Sequence, residues 1–130
     1  MAITNHERVG KALDLLKEGL LPFVERELKA KHAQLWFEQA KASVSDSQSG
    51  LFGTEAQPRW DAATLLAVMW NQWNDVFRKT LGQADRTLVS ELRDVRNRWA
   101  HQNPFSSDDA YRALDSASRL LTAVSAPQAD

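Results

Sequence analysis

Apolar side chains recur at three- and four-residue steps along almost the whole of this chain. Nowhere do they alternate with the period of two that a half-buried strand needs. Val9, Leu13, Leu16, Leu20, Val24 and Leu28 form one such stripe, and Thr4 and Glu7 precede it in the spacing of a capping box. These residues read as one long first helix, bent at Pro22, which has no N–H to give to the carbonyl of Glu18. His32 to Val44 reads as a weaker second helix carrying Leu35, Trp36 and Ala40.

Ser43 to Pro58 is rich in Ser, Gly, Asp, Thr and Gln and forms the main break, one long loop after the second helix. Leu51 and Phe52, between Gly50 and Gly53, are expected to pin that loop to the fold; a partner-binding loop is the alternative. Asp61 then caps a third helix with the stripe Ala62, Leu66, Met69, Trp73 and Phe77, ended by Gly82 as its C′ glycine. A fourth helix from about Asp85 to His101 carries Leu88, Leu92, Val95 and Trp99. Pro104 stops it by forcing Asn103 out of the helical region. Ser106 or Ser107, followed by Asp108 and Asp109, starts a fifth helix with the face Ala110, Leu114, Ala117, Leu121 and Val124. The expected architecture is all-α: a bundle of four to five helices forming a single domain over residues 1–124. Residues 125–130 read as a flexible tail or the start of a linker.

At 130 residues, with 43% hydrophobic and 25% charged side chains, the chain is long enough to bury one core. It contains no cysteine, which excludes disulfides, thiolate chemistry and Cys-ligated zinc, and fits a cytoplasmic setting. His6, His32 and His101 lack metal-ligand spacing, so no metal and no cofactor is expected. No apolar run approaches the roughly 18 residues of a membrane span. The net charge of −1 gives the surface as a whole no pull on nucleic acid, so any RNA contact must come from a local basic patch.

Such a patch lies at the end of the fourth helix, where Arg93, Arg96 and Arg98 follow Arg78, Lys79 and Arg86. Taken alone, these arginines read as a solvated face laced with ion pairs to Asp85, Glu91 and Asp94. Their setting changes that reading. In Arg96-Asn97-Arg98-Trp99-Ala100-His101, Asn follows Arg directly and His stands five positions beyond it. This segment resembles the Arg-x(4–6)-His motif of the HEPN superfamily. The flanking Glu91-Leu-Arg-Asp-Val, Pro104-Phe-Ser-Ser-Asp-Asp-Ala-Tyr-Arg-Ala-Leu and Met69-Trp-Asn-Gln-Trp-Asn-Asp-Val-Phe stretches are similar to one HEPN branch. That branch occurs in a eukaryotic nuclear-RNA endoribonuclease and as a terminal module of large bacterial ATPases and defence-type proteins.

The resemblance implies a HEPN-like bundle that forms a homodimer, so that two motifs line one cleft, and RNA cleavage without metal that leaves a cyclic phosphate. It implies that Arg96 binds the scissile phosphate, His101 moves a proton and Asn97 orients one of them, with Arg93 and Arg98 adding RNA contacts. It also admits a silent HEPN module that dimerises or docks a partner within a larger protein. A helical bundle with a chance motif is the third reading. The tyrosine that some HEPN toxins carry two residues after the histidine is Asn103 here, so control by nucleotidylation has no residue to act on.

Helical geometry adds a constraint. Five residues of regular helix separate Arg96 from His101 by about 140°, whereas Asn97 and His101 share a face. Arg96 and His101 meet only if the helix loosens before Pro104 or if two chains each supply one. Of the five tryptophans, Trp36, Trp60, Trp70, Trp73 and Trp99, a base-stacking platform is one reading. Trp73 and Trp99 fall on core stripes, while Trp60 and Trp70 are expected to face a partner subunit. His6 and His32 are expected to be ordinary surface residues.

Overall fold

A computed structural model describes residues 4–44 and 60–124 of the chain. The loop anchor expected at Leu51 and Phe52 and the tail expected over 125–130 lie outside the described residues. The described residues are helical, in the order α1 (Asn5–His32), α2 (Trp36–Ala42), α3 (Ala62–Asn71), α4 (Gln83–Ala100) and α5 (Ser107–Ala123), with no strand among them. Four of these are long enough to build a bundle and α2 is a short addition. No helix among the described residues is long and apolar enough to cross a membrane.

The caps explain where the helices begin. Thr4 Oγ1 accepts the Glu7 N–H at 3.1 Å, Asp61 Oδ1 the Thr64 N–H at 2.9 Å, and Ser106 Oγ the Asp109 N–H at 3.0 Å. Each removes one of the orphan donors of a first turn. Asp109 completes a capping box by accepting the Ser106 N–H at 3.2 Å.

Four expectations about the helices need correction. First, α1 passes undivided through Pro22 to His32. A 3-10 turn over Ala33–Leu35 then separates it from a second helix shorter than the expected one, and Leu35 is exposed. Second, α3 ends at Asn71, yet Trp73 and Phe77 are still buried, carried inward by a turn and the 3-10 segment Phe77–Lys79. Third, Gly82 does not end α3: it is the N-cap of α4, with extended φ of −93°, and its N–H donates to Asp85 Oδ2 at 2.8 Å. Fourth, the buried faces of the last two helices keep Leu92, Val95, Ala110, Ala117, Leu121 and Val124 as expected but differ at single positions. Val89, Leu92 and Val95 are buried on α4 while Leu88 is half-buried. On α5 Ala113 and Leu120 point inward, whereas Leu114 is 39% and Tyr111 76% exposed.

The four long helices form a closed ring of contacts: α1 against α5, α5 against α4, α4 against α3, and α3 against α1. α2 folds back on α1. Cross-links at both ends give the directions. Arg98 meets Asp109 and Arg112 meets Glu91, so α4 and α5 are antiparallel. Asp61 meets Arg96, and Trp70 lies under Arg86, so α3 and α4 are antiparallel too.

Trp60 is 1% exposed, in contact with the rings of Trp36 and Phe37, which overturns its expected place at a subunit surface. Its position just before the Asp61 cap tucks it under α2. Buried Gln72 ties three elements together, accepting from His32 Nε2 at 2.8 Å and donating to the Gln39 carbonyl at 2.9 Å. His32 is therefore an internal cross-link, not an ordinary surface residue.

Candidate functional site at the end of the fourth helix

α4 stays regular up to the histidine of the motif. His101 is its C-cap, and the His101 N–H still bonds the Asn97 carbonyl at 3.0 Å. Beyond it the Gln102 N–H bonds the Trp99 carbonyl at 3.0 Å and the Asn103 N–H bonds the Arg98 carbonyl at 2.9 Å. This is the bond pair of a Schellman turn. Gln102 takes φ 57° to make it, a left-handed conformation ordinarily left to glycine. The loosening that would bring Arg96 and His101 together within one chain therefore begins only after His101.

The motif residues accordingly divide into two sets. Asn97 and His101 are exposed, four residues apart on the outer face of α4, and among the described residues neither side chain makes a hydrogen bond. Arg96 turns the other way. Its side chain, 32% exposed, lies in a groove of about 210 Å³ between α1, α3 and α4 that also receives Asp14, Lys17 and Asp61. Its guanidinium is 3.6 Å from Asp61 Oδ2, so Asp61 caps α3 with one oxygen and pairs with Arg96 through the other.

The two flanking arginines are held by the fold. Arg98 donates to the Pro104 carbonyl and to Asp109 Oδ2, both at 3.4 Å, and its guanidinium carbon is 4.9 Å from the centre of the Phe105 ring. It thereby straps the connection between α4 and α5. The Ser106 backbone N–H, then the Ser106 hydroxyl, and to a lesser degree Arg98 hold the Asp109 carboxyl below its ordinary value, against a smaller opposing effect of desolvation. Arg93 is half-buried, its guanidinium carbon 6.0 Å from the centre of the Trp70 ring.

Trp99 anchors the motif to the start of the chain. Its indole Nε1–H donates to the His6 carbonyl at 3.1 Å, and the His6 ring lies at 3.2 Å from the Trp99 carbonyl, which accepts from His6 Nε2–H. The rings stack with centroids 5.1 Å apart and planes 10° from parallel. Asn5 adds a bond from Nδ2 to the Phe105 carbonyl at 3.0 Å. Gly10 makes room for this contact, since a Cβ there would stand 3.1 Å from Trp99 Nε1. His6 is thus a half-buried partner of the motif, contrary to the surface role expected for it. No sequence signal pointed to His6, Gly10 or the second role of Asp61, because each depends on a residue far away in the chain.

Chemically, the site offers an exposed imidazole, a neighbouring carboxamide and, around the helix, a guanidinium in a groove. Among the described residues no cluster of three or more carboxylate or imidazole side chains could hold a metal ion.

No curated protein and no solved structure matches the chain. The model of the Swt1-like HEPN family matches residues 11–125, which include all four helices of the bundle from Lys11 of α1 onward and the whole of the Arg96 to His101 segment. The chain is an all-helical HEPN-type module and belongs to the Swt1-like HEPN family.

Proposed function

We propose that this domain binds RNA and cleaves it without metal, as a homodimer, through Arg96, Asn97 and His101. The observation that carries the reading is the state of His101: exposed, without a partner among the described residues, and rigidly placed by a Schellman turn beside Asn97, which is equally without one. A structural histidine at a helix end would spend its ring on carbonyls or a carboxylate, as His6 and His32 spend theirs on a carbonyl and a carboxamide here.

RNA carries its own nucleophile. His101 of one copy takes the proton of a ribose 2′-hydroxyl as O2′ bonds to the adjacent phosphorus. The P–O5′ bond breaks, and the leaving oxygen takes a proton from His101 of the other copy. The products are a 2′,3′-cyclic phosphate and a 5′-hydroxyl, with no water consumed. The guanidinium of Arg96 neutralises the charge that builds on the phosphoryl oxygens. The separation of Arg96 and His101 around one helix supports a composite site in which each copy supplies what the other lacks. Arg93 and Arg98 contact the strand outside the scissile bond. The cysteine-free composition suits the cytoplasm.

A silent docking module is the second reading, favoured by the Arg96–Asp61 pair, which ties up the one guanidinium of the motif that the chemistry needs. RNA cleavage in EDTA decides between them, comparing the wild type with Arg96→Ala and His101→Ala, each shown to be folded. Cyclic-phosphate products that vanish in both variants support the nuclease. A folded dimer with no cleavage supports docking.

A further inference from the structure

Arg86 and Arg93 converge on one indole. Their guanidinium carbons lie 4.2 Å and 6.0 Å from the centre of the Trp70 ring, where the C-terminal end of α3 meets α4. Both arginines lack a counter-ion: among the described residues Arg26, Arg96, Arg98, Arg112 and Arg119 each have a carboxylate within 4.0 Å, and these two do not. The acids nearest in sequence are committed elsewhere, Asp85 to the Gly82 N–H and Glu91 to Arg112. Asp94 projects about 100° around the helix from Arg93. Arg86 Nε, moreover, is buried with no acceptor.

Two like charges drawn to one ring repel, and the ring quadrupole answers only part of that repulsion. A buried guanidinium donor with no acceptor adds to the cost. A phosphate oxyanion supplies the missing counter-charge, since guanidinium groups match its geometry in paired hydrogen bonds. The location fits a strand already engaged at the motif. Arg86, Arg93, Asn97 and His101 follow one another at steps of seven, four and four, a single stripe running about 22 Å along α4.

We infer that Arg86 and Arg93, seated on Trp70, form a subsite for a backbone phosphate of single-stranded RNA further along the strand from the cleaved bond. The inference rests on the RNA-cleaving reading and extends it to a binding site with residues of its own. Trp70 acts as a positioning residue, holding the two guanidiniums in register instead of stacking on a base.

The test measures binding of a fluorescein-labelled single-stranded oligouridine by His101→Ala protein, so that nothing is cleaved, over a range of salt. The further substitution of Arg86 and Arg93 by Gln is expected to weaken binding about tenfold or more at low salt. It should also lower the slope of log K against log salt by about 0.7 for each phosphate that the protein no longer neutralises. The corresponding Lys pair keeps both charges and is expected to keep the slope. Circular dichroism checks each fold, and Arg93→Gln alone carries the test if the Gln pair unfolds. Unchanged affinity and slope in a folded Gln variant overturn this subsite while leaving the RNA reading intact. Failure of the parent protein to bind RNA at low salt overturns both.

Discussion

Trp99 and His6 hold each other by two reciprocal hydrogen bonds across 93 positions of sequence, each ring donating to the other residue's carbonyl. The clasp fixes the last turn of α4 against the first turn of α1, and so fixes the direction in which Asn97 and His101 face. It also explains why Gly10 sits one turn beyond His6, since any side chain there would press on the indole.

His6→Ala removes one of these bonds and the stacked ring, and is expected to destabilise the domain by about 1–2 kcal/mol. Trp99→Phe removes the N–H together with part of the stacked ring and is expected to lose about 2 kcal/mol. Because the two bonds share one geometry, the double variant should lose less than the sum. Urea unfolding of the four proteins checks this, and strict additivity would mean that the pair is not coupled.

The turn after His101 carries stored strain. Gln102 at φ 57° is the position where glycine usually ends a helix, so Gln102→Gly is expected to stabilise by about 0.5–1 kcal/mol, while Gln102→Val destabilises. Cleavage by the Gly variant per folded molecule should be unchanged if the turn only places His101. A selective loss of activity would show that the strain itself matters to the site.

Local chemistry made much of this fold legible in advance. Thr4, Asp61 and Ser106 announced three helix starts because a cap is a short-range interaction. The α1 stripe held because its period is sustained over the length of the helix. Where two registers fit the same period, pattern alone could not choose. On α5, Ala110, Leu114 and Ala117 and Ala110, Ala113 and Ala117 are both helical faces. The second is the buried one, and its alanines allow close approach of the neighbouring helices. The end of α1 was hidden because Ala33, not glycine, takes φ 53° there. At the site, the Arg96 to His101 segment stood out by its resemblance to the HEPN signature and not by spacing alone, and the Asp61–Arg96 pair and the burial of Trp60 are tertiary facts.

Asp109 gives the connection between α4 and α5 a pH dependence of known sign. Its carboxyl is held below the ordinary value by Ser106 first and Arg98 second. A group whose value is lowered by folding stabilises above the ordinary aspartate range. It loses that contribution as pH falls through the lowered value. Asp109→Asn keeps an acceptor for the Ser106 N–H but no charge. Its melting temperature should therefore lie below the wild type at neutral pH, with the gap closing as pH drops below about 4. A constant gap across that range would remove the charge from the explanation.

Asp61→Asn separates the two jobs of that residue. Asparagine caps a helix as well as aspartate does, so the start of α3 should survive, whereas Asp61→Ala is expected to lose about 1 kcal/mol. The Asn variant does lose the ion pair with Arg96, and a partly exposed pair at 3.6 Å contributes about 1 kcal/mol at most. If Arg96 must leave Asp61 to meet a phosphate, its release raises the cleavage rate, by no more than about five-fold on that energy. Single-turnover cleavage of an RNA oligonucleotide reads this directly. A fall as deep as that of Arg96→Ala would instead make Asp61 the group that aims the guanidinium, with the pair preserved during the reaction and the groove between α1, α3 and α4 as the place where the phosphate enters.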